Sequence, residues 1–297
     1  LKPNQVQLLP GELHQRYTKN YQYMMSLSSD KLLLNFYNEA GLLVDSLPSH
    51  TLPAGIYTGW ESPTCQLRGH FLGHFLSACA WGYAYMANEE LKGRGDHIVS
   101  ELRRCQLENA DGWVFSIPRD YMAWIARGKR VWAPQYTIHK TLMGLMDMYR
   151  FAGNKLALVI AKDAADWFDR YSAQYTEEAF DDILDVETGG MMEFFADLYE
   201  VTGETKHLAL MERYYRRRLF EPLIRGEDVL SNMHANTTIP ETLGCARAYE
   251  VTGDRKYLDA CLQYWETAVT NRGYFVTGGQ TCYEAWTPPF TFKDRLN

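Results

Sequence analysis

Histidine, glutamate, asparagine and tryptophan recur in this chain beside glycine or proline, in phrases that suit loops better than a core. Gly59-Trp60-Glu61 leads into Leu67-Arg68-Gly69-His70, with Gly73-His74 one turn further. Trp132-Ala-Pro-Gln135-Tyr136 leads into His139-Lys140. Glu187-Thr-Gly-Gly190-Met-Met-Glu193 and Asn232-Met-His234-Ala-Asn236-Thr-Thr-Ile-Pro240 follow. The last phrase is Thr277-Gly278-Gly279-Gln-Thr-Cys282-Tyr283-Glu284-Ala-Trp286. Side chains of these types, gathered in one bowl, describe a sugar-binding site. Trp and Tyr faces stack on sugar rings, while His, Asn and Glu bond the hydroxyls.

Each of these residues also has a plainer reading. His70 and His74 have the spacing of a metal-binding helical pair, but Phe71 stands where a zinc-protease helix carries its Glu. They could touch a sugar or be hydrogen-bonded core histidines. His139 and His234 each open a helix beside Tyr136 or Asn236, so sugar contact competes with capping. Glu61 and Glu193 could hold a ring hydroxyl or sit at the positive end of a helix. Trp132 and Trp286 could be stacking platforms or rim packing. Glu284 could transfer protons or brace its loop. Cys282 lacks the partners that a zinc site needs.

The elements that position these phrases show themselves as a repeat. Tyr149, Tyr199 and Tyr249 are evenly spaced, and the last two precede Glu-Val-Thr-Gly followed by an acidic residue. A fixed period of about 20–50 residues marks stacked supersecondary units. Met191, Phe194, Phe195, Leu198 and Tyr199 form one apolar helical stripe. Gly203 then supplies a left-handed helix end, and apolar residues resume from Lys206 to Leu219. The unit is a helical hairpin. The same reading pairs Thr137–Ala152 with Lys155–Tyr171, Thr238–Thr252 with Lys256–Thr270, and less regularly Gly69–Ala87 with Gly93–Leu107. Leu13–Glu39 reads as a long helix with a break near Ser28-Ser29-Asp30, and no convincing strand pattern runs beyond a few residues. The predicted class is all-α, an α/α toroid of hairpins, with every site phrase opening a hairpin at one mouth. Too few helices precede Gly273 to close a ring, and a non-helical tail runs on to Asn297.

Composition agrees with a large core: 297 residues, 46% apolar, net charge −7. The acidic balance argues against a nucleic-acid partner. Arg216-Arg217-Arg218 reads as a solvated helix end. No apolar run approaches the ~20 residues of a membrane span. The chain starts at Leu1, so the compartment stays open between cytoplasmic and exported after loss of a signal segment. Cys65, Cys79, Cys105, Cys245, Cys261 and Cys282 show no C-x-x-C pair, and helix-borne ones read as small buried hydrophobes.

Five elements together resemble the (α/α)6-barrel β-L-arabinofuranosidases of glycoside hydrolase families 127 and 146. They are Trp60-Glu61; Leu67-Arg68-Gly69-His70 with Gly73-His74-Phe75-Leu76-Ser77-Ala78; Gly189-Gly190-Met191-Met192-Glu193; His234-Ala-Asn236-Thr with Ile239-Pro240; and Thr277-Gly278-Gly279 followed by Glu284-Ala-Trp. The resemblance implies retaining hydrolysis of terminal L-arabinofuranosyl residues by a zinc-bound cysteine thiolate, with Glu284 as acid/base. Read from the loop phrases themselves, Glu61, His70, His74, Tyr136, His139, Glu193, His234, Asn236 and Trp286 are the candidate sugar contacts. The family's zinc ligands and nucleophile follow the acid/base Glu, and none is present here. Residues 1–297 are therefore expected to be one catalytic domain, the N-terminal portion of the barrel, without its C-terminal part or any β-sandwich domain. Such a chain is expected to be inert by itself, and its open ring leaves room for a homo-oligomer. Other toroid enzymes (unsaturated-uronyl hydrolase, epimerase, lyase) and a non-catalytic glycan- or protein-binding solenoid are the competing readings.

Overall fold

The computed structural model describes residues 5–42 and 55–291, and the end of the predicted tail, 292–297, lies outside them. The fold is all-α. The chain divides into two compact units, Leu1–Trp124 with Arg130–Trp167 and Ile125–Lys129 with Phe168–Asn297.

The first unit begins with α1 (Glu12–Ser26) and α2 (Ser29–Glu39), divided at the expected serines. Ser28 causes the break: its Oγ accepts from the Lys31 N–H and restarts the helix. Next come α3 (His70–Met86) and α4 (Glu89–Asn109), the latter capped by Asn88 Oδ1 on two backbone N–H groups. A short α5 (Asp120–Ile125), missed by periodicity, precedes α6 (Pro134–Ala152) and α7 (Lys155–Ser172). Helices α3 and α6 cross at two glycines. A Cβ on Gly73 would lie 1.9 Å from the Lys140 carbonyl oxygen, and one on Gly144 would lie 2.6 Å from the Gly73 oxygen. Only bare backbone permits that approach, and it sets His70 and His74 against Tyr136, His139 and Lys140.

The second unit holds α8 (Glu177–Leu184), α9 (Met191–Thr202), α10 (Thr205–Arg213), α11 (Arg217–Ile224), α12 (Ala235–Thr252) and α13 (Arg255–Trp265). A π-helical turn, Glu266–Thr270, follows α13, and a small hairpin pairs β1 (Thr281–Cys282) with β2 (Ala285–Trp286). The repeated phrase acts as expected. Gly153, Gly203 and Gly253 end their helices at φ of 69°, 67° and 70°. Its threonine has a further use: Thr202 and Thr252 each accept the N–H of the acidic residue two positions on.

Two expectations are corrected. The apolar run from Lys206 to Leu219 is two helices, parted at Tyr214–Arg216. The arginine triplet is not a solvated helix end. Arg216 precedes α11 with its guanidinium buried, bonded to Asp185 and Glu241, while half-exposed Arg217 and Arg218 pair with carboxylates on or just after α8. Apolar spacing continues across the break, so sequence periodicity carries no mark of it. Cys79, Cys105 and Cys245 are buried on α3, α4 and α12 as expected, and all six cysteines are free thiols.

Candidate active site

The structure gathers the site phrases into two clusters, one in each unit.

In the first unit, the turn Gly59–Glu61 lies against the start of α3. Glu61 takes the capping alternative: its Oε2 accepts from the Gly69 N–H at 2.8 Å and its Oε1 from the Phe71 N–H at 2.9 Å. His70 is buried, with Nδ1 at 2.8 Å from Glu61 Oε1 and 2.9 Å from the Leu67 carbonyl. Around it the rings of Trp60, His74 and Tyr136 have centroids 6.1–6.2 Å away. Trp60 is 61% exposed and Trp132 49%, and they meet edge to face. The Trp132 N–H donates to Gln66 Oε1 at 2.7 Å, which steadies the loop ahead of α6. Lys140 Nζ sits 4.7 Å from the Tyr136 ring centroid.

Two histidines here are held neutral. His139 is buried, and its Nδ1 has no hydrogen-bond partner among the described residues. Burial, with Lys140 and His74 nearby, pushes its pKa well below the usual imidazole value. His74 presents an exposed edge, yet desolvation of the rest of its ring, then Lys140 and His70, push its pKa down to about 4, against the pull of Glu61. Neutral imidazoles can both donate to and accept from sugar hydroxyls.

In the second unit, the tip of the β1–β2 hairpin is Tyr283-Glu284, at φ of 48° and 64°. Positive φ at both central residues is the type I′ pattern, which suits Asn-Gly far better. The hairpin is zipped onto the loop before α12. The Asn232 N–H donates to the Trp286 carbonyl at 2.8 Å, Trp286 N–H to Met233 at 2.9 Å, and Ala235 N–H to Glu284 at 2.8 Å. This brings the Glu284 carboxylate to the positive end of α12. Its Oε2 lies 3.3 Å from His234 Nε2 and its Oε1 3.5 Å from Asn236 Nδ2. His234 Nδ1 faces Thr237 Oγ1 at 3.0 Å, with Glu187 Oε2 at 3.9 Å. A carboxyl group so placed, with its side chain 69% exposed, can give a proton to a bound molecule or take one from water.

Trp286 is not offered as a stacking platform. It is 1% exposed, and its Nε1–H donates to Thr238 Oγ1, which also bonds the Tyr264 hydroxyl, both at 2.8 Å. Glu193 sits half-buried in the first turn of α9. Beside it α9 and α12 touch closely, where a Cβ on Gly244 would lie 2.7 Å from that of Met192. Sequence reasoning missed two supports. Glu241 is buried on α12, bonded to Arg216 and to Thr188 beside Glu187, and burial raises its pKa to about 7 against the pull of Arg216. Arg272 is fully buried beneath the hairpin. A lone arginine carries no signal of burial, and only Asp228, 44 residues away, with the Thr267 and Thr287 carbonyls and Ser231, explains it.

A family model described as β-L-arabinofuranosidase, GH127 catalytic domain, matches residues 5–297. No curated protein sequence matches the chain. Among solved structures, a GH127 β-L-arabinofuranosidase from Geobacillus stearothermophilus T6 is similar at TM-score 0.63 and 20% identity, over 95% of this chain and 48% of that one. A second GH127 β-arabinofuranosidase is similar at TM-score 0.65 and 17% identity, over 97% of this chain and 46% of that one. A further structure described as a glycoside hydrolase has TM-score 0.53 and 16% identity, over 88% and 41%. At these identities the structural likeness shows the fold. The chain spans about half the length of the first two solved structures it matches.

Proposed function

This chain belongs to the β-L-arabinofuranosidase, GH127 catalytic-domain family, and from that premise we propose that the whole protein hydrolyses terminal β-L-arabinofuranosyl residues with retention. The observation that carries the reading is the Glu284 hairpin: an exposed carboxyl group, flanked by His234 and Asn236 at the positive end of α12. Glu284 protonates the glycosidic oxygen as the bond to the sugar breaks. It then takes a proton from the water that releases the sugar. His74, neutral and with an exposed edge, has with Tyr136 and the half-exposed Trp60 and Trp132 the chemistry of a sugar-binding surface.

The zinc that the family implies belongs to the proposal for the whole protein: among the described residues, no three His, Cys, Asp or Glu side chains gather to hold a metal. Burial pushes the Cys79 and Cys105 thiols up to about 12 and Cys245 well above its usual value, so these remain protonated at neutral pH. In the whole protein a zinc-held thiolate would come from residues other than these three.

The test is Glu284→Gln in the full-length protein, assayed on aryl β-L-arabinofuranosides of graded leaving ability. Turnover of poor leaving groups is expected to fall by roughly 10²–10⁴-fold, with activated aryl leaving groups much less affected. Near-normal turnover of the poor leaving groups removes Glu284 from the mechanism.

A further inference from the structure

We propose that Arg272 is a positioning residue for this acid/base, its guanidinium setting the placement of Glu284 against His234. The inference rests on the role given to Glu284 above. Arg272 is 0% exposed. Its Nε donates to the Thr287 carbonyl at 2.6 Å and its Nη1 to the Thr267 carbonyl at 2.7 Å. Its Nη2 donates to Asp228 Oδ2 at 2.7 Å, Asp228 Oδ1 at 3.0 Å and Ser231 Oγ at 3.0 Å.

Those acceptors belong to separate stretches of chain. Thr267 is in the π-helical turn after α13, Asp228 and Ser231 are in the loop that enters α12, and Thr287 follows β2. The two stretches that carry the site are thus tied to one planar group. Ser231 lies just before His234, and Thr287 just after Glu284 and Trp286. Between these anchors, the backbone bonds of Asn232, Met233 and Ala235 to the hairpin transmit the register. The Glu284 side chain is 69% exposed, so its position is inherited from the hairpin beneath it. Arginine suits the task because its donors point in fixed directions, whereas a lysine ammonium is a single compact charge. Its burial is offset by Asp228, which keeps an edge in solvent.

A displaced general acid fails chiefly where protonation matters, at poor leaving groups. The experiment therefore compares Arg272→Lys, Asp228→Asn and Glu284→Gln in the full-length enzyme, on a phenyl and a dinitrophenyl β-L-arabinofuranoside. Arg272→Lys is expected to lower kcat on the phenyl substrate by roughly 10²-fold, with KM nearly unchanged and the dinitrophenyl substrate largely spared. Amide exchange across Thr281–Thr287 should quicken in the same variant. Equal slowing on both substrates, or none, in a folded protein overturns the proposal. Should Arg272→Lys fail to fold, Asp228→Asn must show the selective loss, and its absence overturns the proposal equally. Selective loss in Glu284→Gln with none in either arginine-site variant removes only Arg272. A Glu284→Gln enzyme indifferent to leaving group removes the acid/base assignment, and this inference with it.

Discussion

Glu284 and Tyr283 both occupy left-handed backbone, at φ of 64° and 48°, in a turn that asks for Asn-Gly. For a non-glycine residue that conformation costs roughly 1–2 kcal/mol, and strain of this kind concentrates at functional sites. Tyr283→Asn is therefore expected to stabilise the chain by about 0.5–1 kcal/mol, read as a higher denaturant midpoint. An unchanged or lower midpoint would mean that the tyrosine ring contributes packing that offsets the strain. Trp286 makes the opposite case. Its indole N–H donates to the buried Thr238 Oγ1, which keeps its bond to the Tyr264 hydroxyl, so Trp286→Phe removes one buried hydrogen bond and part of the indole volume. A loss of about 1–3 kcal/mol is expected, visible as a lower Tm. The Glu-Ala-Trp phrase stood out in the sequence, but the opposite fates of its glutamate and tryptophan did not. Residues two apart in a strand share a face, but Glu284 lies in the left-handed turn and Trp286 in β2, and motif spacing does not say which is wet.

Two glycines, one closing α9 and one inside α3, show how differently the same residue type serves the elements. Gly203 has open space where a Cβ would stand but a φ of +67°. Gly203→Ala should cost only about 1 kcal/mol, the usual left-handed penalty. Gly73 lies inside α3 with backbone of α6 pressed on it, and a Cβ would sit 1.9 Å from the Lys140 oxygen. Gly73→Ala is expected to cost about 3 kcal/mol or more, because neither helix backbone can yield. Thermal unfolding of the two variants side by side tests this, and similar small losses would mean that α3 and α6 can slide apart. The capping glycines could be read from sequence because capping is local chemistry, repeated in each hairpin. The parting of α10 from α11 could not, since it depends on Arg216 reaching Asp185 and Glu241 far along the chain.

Stability of the whole molecule should depend on pH from both sides. His139 and His74 have folded pKa values below the usual imidazole value. Their neutral forms stabilise the fold above about pH 6.5, and that contribution is lost as pH falls toward the folded values. Glu241 runs the other way. Its folded pKa of about 7 lies above that of an unfolded glutamate, so its effect on stability is most favourable in acid and declines as pH rises toward 7. Glu241→Gln removes this dependence: the stability of the natural chain minus that of the variant should fall between about pH 4.5 and 7 and be flat above. Denaturant titrations across that range provide the check, and a flat difference throughout would mean that Arg216 keeps Glu241 ionised. No helix among the described residues is long and apolar enough to cross a membrane, in line with the hydropathy of the sequence.

Periodicity, capping residues and five loop phrases were enough to reach an all-α chain of helical hairpins and its family, and they singled out Glu284 as the carboxylate to test. These are properties of neighbours along the chain: apolar spacing chooses helix, glycine ends it, and a motif is a local word. What only the tertiary structure decided is which side chains are dry. It turned Glu61 into a helix cap, buried Trp286, drove Arg216 into the core beside Glu241, and placed Arg272 beneath the Glu284 hairpin. The Glu61 cap reaches only eight to ten residues on, but the burial of Trp286, Arg216 and Arg272 depends on residues dozens of positions away, and no local pattern records the partner.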